Sequence, residues 1–377
     1  MAAVLLLPAP GGLGASGQVA LGLLVLLVIL WISECVSPAV SAIVLIGMAV
    51  LGLMGKPLVA GGEPLGSSGA LGIMLGGFSS SAVLLVAGAL FLAVALKLTG
   101  LDRRVALLVM SRIGISPARL IAGAMIVGFV LAIFIPSATA RVGAVIPIMV
   151  GVVTVTAPGL PITCSLGAAL IIVTAQACSI FNIGIKTAAA QNLISLSFLQ
   201  IAFGQNITWG SWFMAGLPLM RRMCAVLFVV ALLLLRPAVP EVGKAKRRLQ
   251  AELQQLGPVT PAEKRLMIAA GLLLALWSTE GWLHGLDTAT ATQLGVALLL
   301  LPRIGVMNWA AAEKQIPWGT VVLFAAGISL GILLSRTGAA AWLAAATLGQ
   351  LASRACRWWP SCWRFRCSAS CCISASP

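Results

Sequence analysis

The chain has 377 residues, of which 60% are hydrophobic and 9% charged, with a formal net charge of +15 and a mean hydropathy of +1.08. An ordinary soluble domain is about a quarter charged, so this sequence cannot cover a water-facing surface. One histidine and no tyrosine exclude multi-histidine metal sites and most acid–base enzymology, and none of the nine acidic residues sits mid-run as a proton relay would.

Residues 1–17 lack a positive n-region and read as an N-terminal tail rather than a cleaved signal peptide. Apolar runs follow at 18–33, 39–55, 82–99, 118–137, 139–158, 162–183, 211–236, 266–283, 288–306 and 318–336. They are continuous and of bilayer-spanning length, unlike the alternating strands of an outer-membrane barrel, so we expect an all-α polytopic membrane protein of the inner (plasma) membrane. Basic residues gather between runs, at Arg103, Arg104, Arg112 and Arg119 and again at Lys244, Lys246, Arg247, Arg248, Lys264 and Arg265. The positive-inside rule makes both clusters cytoplasmic, and accounts for the net charge without nucleic acid. Counting back from the first cluster puts the N-terminus outside, unless a short helix in Ala2–Leu7 precedes the first run. The polar stretch 237–265 is then a cytoplasmic linker, with an amphipathic helix over Ala245–Gln255.

Leu30-Trp31-Ile32-Ser33-Glu34 is echoed by Leu276-Trp277-Ser278-Thr279-Glu280, and Lys97-Leu98-Thr99-Gly100 by Ser335-Arg336-Thr337-Gly338, in the same order and at similar offsets. The first Trp-Glu helix runs inward and the second outward, so the copies are inverted, as in secondary transporters. This divides the chain into a first transmembrane repeat at 18–236, the linker, and a partial second repeat at 266–351. Residues 352–377 follow as an aberrant Cys/Arg/Trp-rich tail that holds five of the nine cysteines. Leu and Ala codons read one base late give Cys, Trp and Arg, so a frameshifted or truncated transporter is expected. A zinc or disulfide site and a genuine membrane-surface tail are the alternatives.

Two polar breaks carry the candidate chemistry. Pro136-Ser137-Ala138-Thr139-Ala140-Arg141 interrupts a hairpin near 118–158, and Asn182-Ile183-Gly184-Ile185-Lys186-Thr187, running on to Asn192, interrupts the run that follows. Proline removes a backbone donor, and broken helices expose amides that attract anions and carbonyls that can hold cations. The candidate anion-binding residues are Ser137, Thr139, Arg141, Thr187 and Asn192. The candidate cation ligands are Ser137, Ala138, Thr139 and Gly184. The alternatives are an interfacial loop with Arg141 reaching into headgroups, and an aqueous second loop with a solvated Lys186. Glu34, Glu280 and His284 read as residues of interfacial turns. Gly76–Ser81 opens a helix without the lysine and threonine of a P-loop, and Cys35, Cys164, Cys178 and Cys224 read as packing residues.

Together, the Leu-Trp-x-x-Glu helix ends, Thr99–Arg104, Pro136–Arg141, Trp209-Gly210-Ser211-Trp212-Phe213-Met214-Ala215-Gly216-Leu217-Pro218 and Ile316-Pro317-Trp318-Gly319-Thr320 make residues 18–350 resemble the divalent anion:sodium symporter family of dicarboxylate, citrate and sulfate transporters. The resemblance implies inverted repeats with re-entrant hairpins, a Ser-Asn-Thr tip binding sodium and substrate carboxylate, homodimers, and an elevator-type motion. Ser137 and Thr139 match that tip, whereas Ala138 stands in place of the asparagine, and Ala140-Arg141 is more similar to the family's organic-acid exchangers. The expected function is secondary transport of small divalent anions by sodium symport or exchange, with no cofactor other than sodium as a coupling ion. The alternative is a non-transporting fragment or a partner subunit of a full-length transporter.

Overall fold

A computed structural model describes residues 13–58, 62–114, 116–156, 161, 164–235 and 242–347. The aberrant tail at 352–377 and most of the N-terminal tail lie outside the described residues. The described residues are helical throughout and fall into two compact units, Met1–Phe78 with Ala325–Pro377, and Ser79–Phe324.

The first unit is built on α1 (Ala15–Ser33), α2 (Pro38–Leu53) and α3 (Gly66–Leu75), packed in sequence, one on the next. The turn from α1 to α2 is made by Glu34 in the left-handed region and by Ser37, which caps α2 by accepting the Val40 N–H. At the end of α3, Ser329 Oγ donates to Met74 O at 2.6 Å and accepts the Gly77 N–H at 3.0 Å. Gly77 lies so close to the Ala325 carbonyl that any Cβ would overlap it.

The second unit begins with α4 (Ser81–Thr99), α5 (Leu101–Ile113), α6 (Pro117–Phe134), α7 (Ala138–Thr156) and α8 (Ser165–Gly184). A 3-10 turn (Lys186–Ala188) leads to α9 (Ala190–Phe203), α10 (Trp209–Leu235), α11 (Val242–Gln255) and α12 (Pro261–Ser278). Next come α13 (Thr288–Leu300), α14 (Trp309–Glu313) and α15 (Trp318–Arg336), the last crossing from this unit into the first. Among the long apolar helices α4 is the most enclosed, 67% buried, and α10 the least, 11% buried, so α4 is a core helix and α10 a largely exposed one. α4 lies along α13, where Gly88 admits Thr292 and Gln293, and the Gln293 amide donates to Leu84 O at 2.6 Å. The hairpin α6–α7 packs against α8, with Phe129 and Phe181 edge to face at 5.4 Å. α10 crosses α8 where a Cβ on Gly216 would stand 2.5 Å from Ile183 O, so only glycine allows the approach. α11, the linker helix, packs on α5 and α7. Arg104 secures its end, bonding Glu263 at 2.6 Å and the carbonyls of Leu256, Gly257 and Pro258.

Each of the ten apolar runs contains a helix among its described residues. Besides the linker helix α11, four helices lie outside those runs: α3 and α14 are short, α5 is amphipathic with too many charges to read as apolar, and α9 begins inside the second polar break. The two pairs of sequence echoes form similar local joints. Trp31 donates to Ser41 Oγ at 3.1 Å and Trp277 to Thr292 Oγ1 at 3.2 Å, each reaching the following helix. Thr99 and Thr337 both donate to the carbonyl four residues back at 2.8 Å, and the glycine after each has φ +71. Two expectations need correction: Glu280 is buried against Lys186 rather than interfacial, and Cys35 is exposed in the α1–α2 turn rather than packed. The alternative of a solvated Lys186 is removed by its burial.

Candidate functional site

α6 ends at Phe134 because Pro136 cannot donate to the helix and forces Ile135 into an extended conformation, φ −107 and ψ 108. Ser137 then starts α7, its Oγ accepting the Ala140 N–H at 3.2 Å and its carbonyl accepting the Arg141 N–H at 3.0 Å. Ser137 and Ala138 are half-buried, and Thr139 is exposed on the rim of this tip. The second break is shorter than the sequence suggests. α8 runs to Gly184, Ile185 is extended, and the 3-10 turn holds Lys186, Thr187 and Ala188, all buried.

The two breaks meet. Thr187 Oγ1 donates at 2.9 Å to Ile133 O, one of the carbonyls left open at the end of α6. Arg141 makes the larger connection. It is fully buried, with Nη1 donating to Ile135 O and to Ala188 O at 2.7 Å, and Nη2 donating to Cys178 O at 2.6 Å and to Asn182 Oδ1. The guanidinium thus joins the tip, the body of α8 and the break, and all four acceptors are uncharged oxygens. Its burial removes the headgroup alternative. Behind it, Asn192 Nδ2 donates to Asn182 O at 2.7 Å and Ile185 O at 3.2 Å, and Trp212 Nε1 donates to Ile183 O at 3.1 Å. The carbonyls of Ile133, Ile135, Asn182, Ile183, Ile185 and Ala188 thus each receive a side-chain donor, as burial of a broken helix requires.

On the other side of the break, Lys186 Nζ donates to Ile207 O at 2.8 Å and Thr288 Oγ1 at 3.1 Å, and lies 3.8 Å from Glu280 Oε2. Glu280 also accepts the Trp209 N–H at 2.8 Å and the Thr288 hydroxyl at 2.7 Å. The pair lines a small cavity of about 60 Å³ beside a cleft of about 420 Å³ bounded by Ser81, Gln200, Asn206, Asp287, Thr290 and Gln293. Burial would raise the Asp287 carboxyl, but donors from Thr290 and Ala289 outweigh it and hold the group below its ordinary value.

Of the residues singled out from sequence, Ser137, Ala138, Thr139 and Arg141 form the tip, Thr187 bonds directly to its base, and Asn192 braces the break from behind. Gly184 packs against Met220 and Gly216. Sequence reasoning missed the roles of Asn182 and Glu280. Asn182 was visible as a polar residue within an apolar run, whereas nothing local distinguishes Glu280 from Glu34. Among the described residues no group of three His, Cys, Asp or Glu side chains is placed to hold a metal.

Comparisons with known proteins bear on the family. The family described as the sodium:sulfate symporter transmembrane region matches residues 1–359. A protein named only "Membrane protein" from Cupriavidus necator is 44% identical over 344 residues, which is 90% of this chain and 66% of that protein. The chain therefore spans about two thirds of that relative's length. Proteins named L-tartrate/succinate antiporter, from Escherichia coli K12 and Shigella flexneri, are 27% identical over 93% of this chain and 73% of their own.

Proposed function

The chain belongs to the sodium:sulfate symporter family, and from that premise we propose that it carries small dianions across the membrane by exchanging one for another, with four-carbon dicarboxylates as the substrate class. The carboxylates bind at the joint of the two breaks. There α7 begins at the Ser137 cap, with the Thr139 hydroxyl in its first turn, and α9 begins with no side-chain cap after the second break, so each helix N-terminus offers partial positive charge. The site lies inside a helical hairpin, the kind of broken element from which transporters build midplane sites.

The observation that carries exchange over sodium symport is the environment of Arg141. Four oxygens, three of them main-chain carbonyls, converge on its guanidinium. Two of these carbonyls, of Ile135 and Ala188, belong to the broken segments, and unwound carbonyls hold a coupling cation in sodium-driven transporters. Here a covalently attached cation fills the cage, and Ala138 supplies no amide to help hold a second ion. The charge that favours a bound anion is therefore permanent, and the empty carrier gains no free cation with which to return. The names of the antiporter relatives fit this reading.

The test is counterflow in proteoliposomes. Labelled succinate or tartrate should enter only when unlabelled dicarboxylate is inside, at the same rate in sodium and in choline. Uptake into empty vesicles driven by a sodium gradient would overturn the exchange mechanism. No uptake under any condition would remove transport by this chain alone.

A further inference from the structure

Alternating access requires one group of helices to move against another around the bound substrate, and a device that governs such movement rests on the transport reading. Within the second unit, α6, α7, α8 and α10 pack on one another around the candidate site, while α4, α12 and α13 pack on one another and touch the first group where α12 meets α10 and α4 meets α6. We infer that the buried Lys186–Glu280 pair, with Thr288 between the two side chains, is a reversible latch that joins the site-bearing group to the α12–α13 group in this conformation and opens when they part.

Lys186 is attached to the site through its own neighbours: Thr187 bonds to Ile133 O and Ala188 O receives Arg141. Any movement of the tip therefore carries Lys186 with it. Glu280 belongs to the other group, standing at the end of α12 and fixed by the Thr288 N–H at 3.1 Å and by the Thr288 hydroxyl. It reaches across at two points, to Lys186 Nζ and to the Trp209 N–H that opens α10. Both charges are nearly dry, at 7% and 8% exposure, so although each keeps neutral hydrogen-bond partners, each is the other's only ion-pair partner among the described residues.

Polar joints of this kind are reversible in a way that an apolar interlock is not. When the groups separate, water hydrates both ions, so the desolvation penalty already paid to close the joint is returned and offsets the lost attraction. The water supply is adjacent, because the pair lines a cavity that neighbours the Ser81–Asn206–Asp287 cleft. Cytoplasmic placement of the linker before α12 puts this end of the helix on the opposite face of the membrane. The latch thus closes the site from the non-cytoplasmic side.

The experiment uses the full chain in proteoliposomes, with Ser197→Cys as the reporter. Ser197 lines the same cavity, and its Oγ is buried without a partner. Labelling by a membrane-impermeant maleimide is read on the Ser197-bearing peptide by mass spectrometry, which leaves the native cysteines out of the readout. Slow labelling is expected in the reporter alone, rising about tenfold when either Glu280→Gln or Lys186→Met is added. The two together should be no faster than either one, because both remove the same joint. Thr288→Val removes only the shared hydroxyl and should give an intermediate rate, including when the charge variants fail to reach the membrane. Unchanged rates in all three, or a multiplicative effect in the double variant, would overturn the latch. No substrate is needed. A parent chain that fails to exchange dicarboxylates while the labelling shifts rejects the transport reading and keeps the latch, whereas exchange with static labelling rejects the latch alone.

Discussion

Replacing Arg141 by alanine removes the donor shared by Ile135 O, Ala188 O, Cys178 O and Asn182 Oδ1. Hydrogen bonds to a charged group contribute about 1.5–3 kcal/mol each, and a buried acceptor left bare costs about 1–3 kcal/mol. The four bonds share one guanidinium and are not additive, so the firm expectation is set by the acceptors that water cannot reach. Two such oxygens would cost roughly 2–6 kcal/mol, a large part of the 5–15 kcal/mol that holds a typical protein folded. The same deletion leaves an oxygen-lined space with no cation in it. Sodium that binds there at a hundred times its Kd would restore about 2.7 kcal/mol. The assay is thermal unfolding of the purified protein followed by tryptophan fluorescence, in sodium and in choline chloride at equal ionic strength. The parent should melt at the same temperature in both. Arg141→Ala should melt lower in choline, by several degrees, and recover part of the loss in sodium. Arg141→Lys, which keeps the charge but not the planar fork, should fall between them. Melting of Arg141→Ala at the parent's temperature would show that the guanidinium is no clamp. A lowered midpoint indifferent to sodium would show that the oxygens are no cation cage, and exchange would lose its structural support.

Three further outcomes rest on the same geometry. Ser137→Ala loses the α7 cap and should cost about 1 kcal/mol in unfolding experiments as well as slowing exchange, whereas Thr139→Ala, exposed on the rim, should slow exchange with no change in melting. Burial would raise the Glu263 carboxyl, but Arg104 and the Thr260 donors outweigh it and hold it below its usual range. A lowered folded-state value contributes stability above the ordinary carboxylate range and loses it as pH falls through the lowered value, so the melting difference between parent and Glu263→Gln should be full at neutral pH and vanish in acid. Gly216→Ala places a Cβ 2.5 Å from Ile183 O, and the repacking should cost about 1–3 kcal/mol in melting, with Gly210→Ala, whose nearest neighbour is Ser278 O at 3.7 Å, as the tolerant control.

The spans were legible because each is an uninterrupted apolar stretch, and the tip because Pro136 acts on its own neighbours. What Arg141 touches was not legible. Three of its four acceptors are main-chain carbonyls, which any residue type supplies, so Cys178 and Ala188 carry no mark of their role. α5 was hidden by its own charges, and α9 by the polar residues that open it. The Glu34–Glu280 comparison is the most instructive. Both follow a tryptophan near the end of an apolar helix, yet Glu34 turns the chain in an exposed left-handed bend and Glu280 is drawn inside by Lys186, Thr288 and the start of α10. Local pattern is shared between copies of a repeat; the partners that arrive from elsewhere in the chain are not.

The similar Thr-Gly closures at the ends of α4 and α15 have an implication for how a helix end can serve either face of a membrane. A hydroxyl bonded one turn back and a left-handed glycine use only the chain's own atoms, so the closure forms equally well on either face of a bilayer. The residues just beyond it are not so free. Gly100 is followed by Leu101-Asp102-Arg103-Arg104 and Gly338 by Ala339-Ala340-Ala341-Trp342. The first closure thus has arginines directly behind it, and the second has none there. A bend of this kind places no constraint on the sense in which its helix crosses, which is left to the basic residues of the adjoining loop.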